Sequence, residues 1–292
     1  MLNQLHLNRV NPFQKYISDC AGLFQSGKKL AFRPPRTFSR RPKPPAGAPK
    51  ALIFSPHPDD ECIIGGLPLR LLREAKWNVI NIAVTLGSKP ERRTARWREL
   101  KNACDFLGFG LASADLVGIQ PETRQKNRSY WKKAVQETAR HLIQNQPRVI
   151  FIPHELDGHP AHRGTHGLVL DALKTLPAAF RCQVVETEFW APLTQPNLLV
   201  ESGAADVADL IAALACHVGE VRRNPYQARL PAWLVDNVRR GAELVGRRGG
   251  KAPDFTFATL YRLRQWLRGR LVDVLKEGRF ISKSENVARY FR

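Results

Sequence analysis

An α/β fold, with a mostly parallel sheet and helices on both faces, is predicted by three observations. Short apolar runs alternate along the chain with segments whose apolar residues recur at helical spacing. Repeated alternation of this kind builds a parallel sheet through right-handed crossovers. Two of the apolar runs, Ala51-Leu-Ile-Phe54 and Val149-Ile-Phe-Ile152, are each followed directly by a loop rich in His and acidic residues. Open α/β sheets build their sites at that end of the strands, so a single catalytic domain of Rossmann-like type is expected.

The elements follow in order. Ala51–Ser55 reads as a buried strand, and Leu67–Lys76 as a helix with Leu67, Leu71, Leu72 and Ala75 on one side. Val79–Thr85 is a strand that ends in Leu86-Gly87-Ser88. Arg92–Leu107 is a helix carrying Trp97, Leu100, Ala103, Cys104 and Leu107 on one face, with Gly108 as its stop. Ala114–Val117 is a short strand, Tyr130–Gln144 a helix, and Arg148–Pro153 a strand. His166–Leu176 is a helix, Gln183–Trp190 a strand, and helices follow at about 205–217 and 231–245.

Three regions are expected. Residues 1–48 form a basic, Pro-rich extension, because the run 33–49 favours extended polyproline conformations and cannot make a core. Within it, Phe13 to Phe24 can form a short amphipathic helix. Residues 49–250 form the catalytic domain. Residues 251–292 are expected to be a basic helical extension packing on that domain, with Tyr261, Leu263, Trp266, Leu267 and Leu271 interleaved with arginines. Such a segment suits a membrane-surface helix or an ordinary packed one.

Charge is distributed unevenly over the 292 residues. The net charge is +20, yet residues 51–221 carry nineteen groups of each sign. Residues 1–50 carry ten Lys or Arg against one Asp, and residues 222–292 carry seventeen basic against six acidic groups. Basic ends of this kind attract polyanions and anionic lipid headgroups. Five scattered cysteines with no CxxC pair argue against a disulfide framework and against a cysteine zinc site. No run approaches a membrane span, and Met1–Val10 lacks the apolar stretch of a secretory signal. The default expectation is a cytoplasmic protein, peripheral at the inner membrane if the basic ends dock there.

The chemistry is concentrated in two loops. Ser55-Pro-His57-Pro-Asp59-Asp60-Glu61 places an imidazole and three carboxylates within five positions. Pro153-His154-Glu155-Leu-Asp157-Gly-His159-Pro-Ala161-His162 forms the second. Together they hold four of the eight histidines in the chain, and five carboxylates. A hydrolytic metal centre needs neutral nitrogen and carboxylate ligands, and a spare carboxylate to accept a proton from water. The simpler reading of 55–61 is an acidic helix N-cap. Ordinary structural roles are the simpler reading for His154, His166, His217 and Cys62.

The run Pro-His-Pro-Asp-Asp-Glu, followed by Gly65-Gly66, resembles the signature of the LmbE-like (PIG-L) zinc N-deacetylases. His159-Pro-Ala161-His162, about a hundred residues later, resembles their second motif with Ala161 in place of an Asp. Weaker echoes are Thr85-Leu-Gly87, Arg98-Glu99 and Ala215-Cys-His217, and the resemblance spans roughly residues 50–245. It implies that His57, Asp60 and His162 ligate Zn2+, with Fe2+ as the other candidate metal. Asp59 would be the general base toward zinc-bound water, and His159 would stabilise the oxyanion. Arg98 would contact a sugar, and Glu61 would orient the loop. The implied reaction removes an N-acetyl group from an N-acetylglucosamine-type sugar or glycoconjugate. The competing reading is a polyanion- or membrane-binding protein on a catalytically altered deacetylase fold; nucleic acid is not the expected partner. Loss of the Asp at 161 leaves Asp157 or Glu155 as the nearest substitutes.

Overall fold

The computed structural model describes residues 11–35, 44–246 and 251–291. Residues 1–10 and 36–43 of the predicted N-terminal extension lie outside the described residues. The elements run α1 (Gln14–Lys29), β1 (Lys50–Ser55), α2 (Asp60–Ile63), α3 (Leu67–Arg73), β2 (Asn78–Thr85), α4 (Arg93–Leu107) and β3 (Gly110–Leu116). They continue with α5 (Thr123–Lys126), α6 (Arg128–Asn145), β4 (Val149–Pro153), α7 (Pro160–Lys174), β5 (Cys182–Thr187) and β6 (Leu198–Ser202). Last come α8 (Ala204–Leu214), α9 (Val218–Val221), α10 (Tyr226–Leu244), β7 (Phe257–Leu267), β8 (Arg270–Asp273) and β9 (Arg279–Ile281).

One nine-stranded sheet has the order β3-β2-β1-β4-β5-β7-β6-β9, with β8 paired to β7. The first five strands in that order are parallel, as the alternation predicts. Strand parity divides the core. Ala51, Ile53, Val79 and Ala83 face α3, α4 and α8. Leu52, Phe54, Ile82 and Val84 face α6 and α7. β1 and β4 read as continuous apolar runs because both faces are covered. The expected stop at Gly108 is present: it adopts φ 81°, and its N–H reaches Cys104 O at 2.9 Å.

The C-terminal segment corrects the sequence reading. Residues 257–273 are not a helix but the hairpin β7–β8. β7 is antiparallel between β5 and β6, so it lies inside the sheet and buries side chains on both faces. Burial on both faces erases the clean period of two that marks a half-buried strand. Arginines at 262 and 264 stay tolerable because Arg264 donates to Glu186 at 2.5 Å and Arg262 lies 3.5 Å from Asp273. The local signal was Arg268-Gly269, which turns the hairpin with φ of 50° and 77°. β6 and β9 were likewise missing from the sequence reading. The sheet therefore runs past residue 250, and the C-terminal residues are part of the α/β domain.

The fold brings the two polar loops together. β1 pairs with β2 on one side and with β4 on the other, so the chain reverses its winding between β1 and β4. The loop after β1 and the loop after β4 leave the same edge at this switch point.

Candidate active site

The first loop starts where β1 ends and is held from below. Thr85 Oγ1 donates to Pro56 O at 2.7 Å, and the Thr85 N–H reaches the same oxygen at 3.2 Å. Asp59 then adopts φ 117°, in the left-handed region that favours glycine. Non-glycine residues keep such a conformation only where their surroundings fix it, typically in functional loops. Here the fixing group is Glu61. Its Oε2 accepts the Asp59 N–H at 3.0 Å. Its Oε1 accepts from Cys62 Sγ at 3.1 Å and lies 2.7 Å from His217 Nε2. Glu61, Cys62 and His217 are fully buried. His217, for which an ordinary structural role is the simpler reading of the sequence, is placed directly behind the loop by its bond to Glu61.

The second loop enters α7. His159 occupies the N-cap position, its Nδ1 accepts the Ala161 N–H at 3.2 Å, and Pro160 follows at the first helical position. In a neutral ring, an accepting Nδ1 leaves the proton on Nε2. Asp157 is buried and accepts the His159 N–H at 2.8 Å and the Trp190 N–H at 3.2 Å. Its Oδ1 lies 3.5 Å from His162 Nδ1. Of the two substitutes considered for the Asp absent at 161, Asp157 thus reaches the His162 ring, while Glu155 is exposed. His154 and His166 are buried; His154 Nε2 lies 2.9 Å from Ala191 O, and His166 Nδ1 lies 2.9 Å from Pro153 O.

Donors from both loops converge. Asp60 Oδ2 lies 3.5 Å from His57 Nδ1 and 3.4 Å from His162 Nε2. The same oxygen accepts the His57 N–H at 2.8 Å. His57, His159 and His162 can each offer a ring nitrogen within 4.8 Å of the others. His162 is fully buried, and neither of its nitrogens has a hydrogen-bond partner. An orphaned buried nitrogen facing a carboxylate and a second imidazole fits a divalent cation. Asp157 behind Nδ1 is the kind of partner that orients a ligating histidine. The group Glu61, Cys62 and His217 also clusters tightly, with Glu61 Oε1 engaged by Cys62 Sγ and His217 Nε2, while His217 Nδ1 has no hydrogen-bond partner.

Electrostatics separates the two neighbouring aspartates. Burial pushes the Asp59 carboxyl well above the ordinary range; the charges of Asp60 and Glu61 add to this, and Arg96 opposes it. Burial also raises Asp60, but the charge of His162 and hydrogen bonding from His57 outweigh it and hold Asp60 low. Burial lowers His162, yet Asp60 and Asp157 win and raise it. His159 is lowered, first by burial and then by the charges of His57 and His162.

A cleft of about 520 Å³ opens over this cluster. His57, Asp59, Asp60 and His159 line its floor, while Arg96, Trp190, Glu220 and Tyr226 are among the residues of its walls. Arg98 does not line it; that side chain is exposed, and the arginine that faces the cleft is Arg96, two residues earlier. Arg96 Nη2 donates to Pro58 O at 3.1 Å and lies 3.7 Å from Glu220. Arg96, Glu220 and Tyr226 come from α4, α9 and α10 and Trp190 from the segment after β5, and no local motif marks them.

The same fold occurs in known proteins. Residues 52–173 match the family model described as PIG-L: GlcNAc-PI de-N-acetylase. No curated protein matches the chain. Among solved structures, the N,N'-diacetylchitobiose deacetylase of Pyrococcus horikoshii is similar at 16% identity and TM-score 0.56, covering 90% of this chain and 95% of its own. A conserved protein of Thermus thermophilus is similar at 22% identity and TM-score 0.55, covering 73% of this chain and 93% of its own. GalB, the 4-carboxy-2-hydroxymuconate hydratase of Pseudomonas putida, is similar at 17% identity and TM-score 0.57, covering 74% of this chain and 95% of its own. At these identities the structural likeness is one of fold. The stretch matched by the PIG-L family model, residues 52–173, contains both polar loops.

Proposed function

We propose that the protein is a metal-dependent hydrolase that removes the N-acetyl group from an N-acetylglucosamine-type sugar or glycoconjugate. The observation that carries this reading is the buried, unpartnered His162 facing Asp60 and His57, beneath an open cleft floored by a second carboxylate, Asp59. His57, Asp60 and His162 would hold the ion, zinc or iron. A divalent cation there supplies Lewis-acid polarisation of a carbonyl and acidifies water.

The remaining steps belong to the chain's own groups. Asp59 takes a proton from the attacking water. Burial and the charges of Asp60 and Glu61 raise its affinity for that proton, which suits it to the role of base. Glu61, itself bonded to His217, holds the Asp59 N–H, so the base is positioned before substrate arrives. His159 sits at the rim with Nε2 as its protonated nitrogen, and donates to the carbonyl oxygen as charge develops on it. The amine leaves with a proton returned through Asp59, and acetate is the second product. Trp190 and Tyr226 offer aromatic faces to a sugar ring.

The test is metal analysis together with acetate release. Wild type should bind one divalent ion per chain and release acetate from N-acetylglucosamine conjugates. His162→Ala should lose both. Acetate release without any divalent ion would contradict the reading.

A further inference from the structure

We infer that α1 is an interfacial helix that docks the protein on an anionic lipid bilayer. None of its sixteen residues is buried. A helix that belongs to a core buries its apolar stripe. This one does not: Phe13, Tyr16, Ile17, Leu23, Phe24 and Leu30 are exposed, Phe13 by 67% and Leu23 by 75%. At 100° per residue, Phe13, Tyr16, Ile17, Cys20, Leu23, Phe24 and Gly27 share one arc of about 120°. Cys20 and Gly27, in the middle of that arc, are half-buried, and α1 packs on α10. The large side chains beside them stay in water.

Charge selects the occupant. Lys28 borders the apolar arc, Lys29 lies on the opposite side of α1 and Arg33 follows the helix, while Lys15 pairs with the one acid, Asp19, at 2.6 Å. The sequence adds Arg36, Arg40, Arg41 and Lys43 shortly afterwards. A second copy of this chain would bring two such basic segments together, which is repulsive. An anionic lipid surface attracts them, and offers a broad apolar boundary for a helix about 24 Å long. No helix among the described residues is long and apolar enough to cross a membrane. The same basic character at 257–273 does not make a second docking helix, because those residues are paired strands.

The full chain should be sedimented with phosphatidylcholine vesicles, with and without phosphatidylglycerol. Binding is expected only with phosphatidylglycerol, and should weaken as salt is raised. Ile17→Glu combined with Leu23→Glu should weaken it at least about tenfold and leave the melting temperature unchanged, since neither side chain is buried. If that variant fails to fold, Lys28→Gln with Lys29→Gln should still weaken binding several-fold. Undiminished binding by a folded variant, or no binding to phosphatidylglycerol vesicles, overturns the proposal. So does sedimentation velocity in which wild type is a dimer and the glutamate variant a monomer.

Discussion

His217 Nε2 lies 2.7 Å from Glu61 Oε1, both side chains fully buried, and the other oxygen of that carboxylate holds the Asp59 N–H. Two residues 156 positions apart in sequence therefore determine the conformation of the proposed base. His217→Ala removes one partner of a buried carboxylate, a loss of about 2–4 kcal/mol in chemical denaturation. kcat should fall further than KM rises, because Asp59 loses its fixed position while the metal-facing groups are untouched. His217→Gln, which keeps a donor, should recover part of both losses.

Gly164 sits on α7, two residues after His162, and approaches the chain after β3 closely. A Cβ there would lie 2.6 Å from Ile119 O and 2.7 Å from Gln120 N. These are backbone atoms and cannot swing aside. Gly164→Ala should cost about 1–3 kcal/mol. KM should change as well, because Ile119 and Gln120 line the cleft.

Arg70 tests whether the C-terminal residues belong to the domain. It is buried on α3 and donates to Glu201 O at 3.1 Å, Ser282 O at 3.0 Å and Glu285 O at 2.8 Å. Arg70→Met strips three carbonyls and Glu74 of their donor, and should destabilise the fold by about 3–5 kcal/mol. Removing residues 251–292 should prevent folding, since β7 separates β5 from β6. An independent extension would leave the melting temperature unmoved by either change.

Most of this architecture was legible because local signals were strong. β1 and β4 carried uninterrupted apolar runs, and each polar loop followed one of them. The proposed ligands stood out for the same reason: His57, Asp60 and His162 lie in dense polar clusters at strand ends. β7 was illegible because a strand buried on both faces, with arginines paired across it, mimics helical spacing over so few residues. Arg96, Glu220 and Tyr226 were illegible because only the tertiary fold brings their segments to one cleft. The tie between His217 and Glu61 depends on α8 crossing behind the loop, which no local pattern records.

Acid should weaken the fold through two buried histidines. Burial lowers the pKa of His166, and burial followed by the charge of Arg140 lowers that of His141. Above the ordinary histidine value of 6.5 the folded and unfolded chains are both neutral at these rings, and this stability is fully present. As pH falls below it, the unfolded chain takes up protons that the folded chain refuses. Stability then drops by up to about 1.4 kcal/mol per pH unit for each ring, until the folded pKa is passed. Denaturation midpoints measured downward from neutrality should fall, and His141→Gln should flatten part of that slope.

The most direct test of the account is free-amine formation from N-acetylglucosamine conjugates by the metal-loaded chain, beside Asp59→Asn loaded to the same metal content. The account predicts a deacetylated sugar and acetate in equal amounts from wild type. It predicts a loss of at least about a hundredfold in the variant, with the ion still bound. Undiminished deacetylation by metal-loaded Asp59→Asn would contradict it.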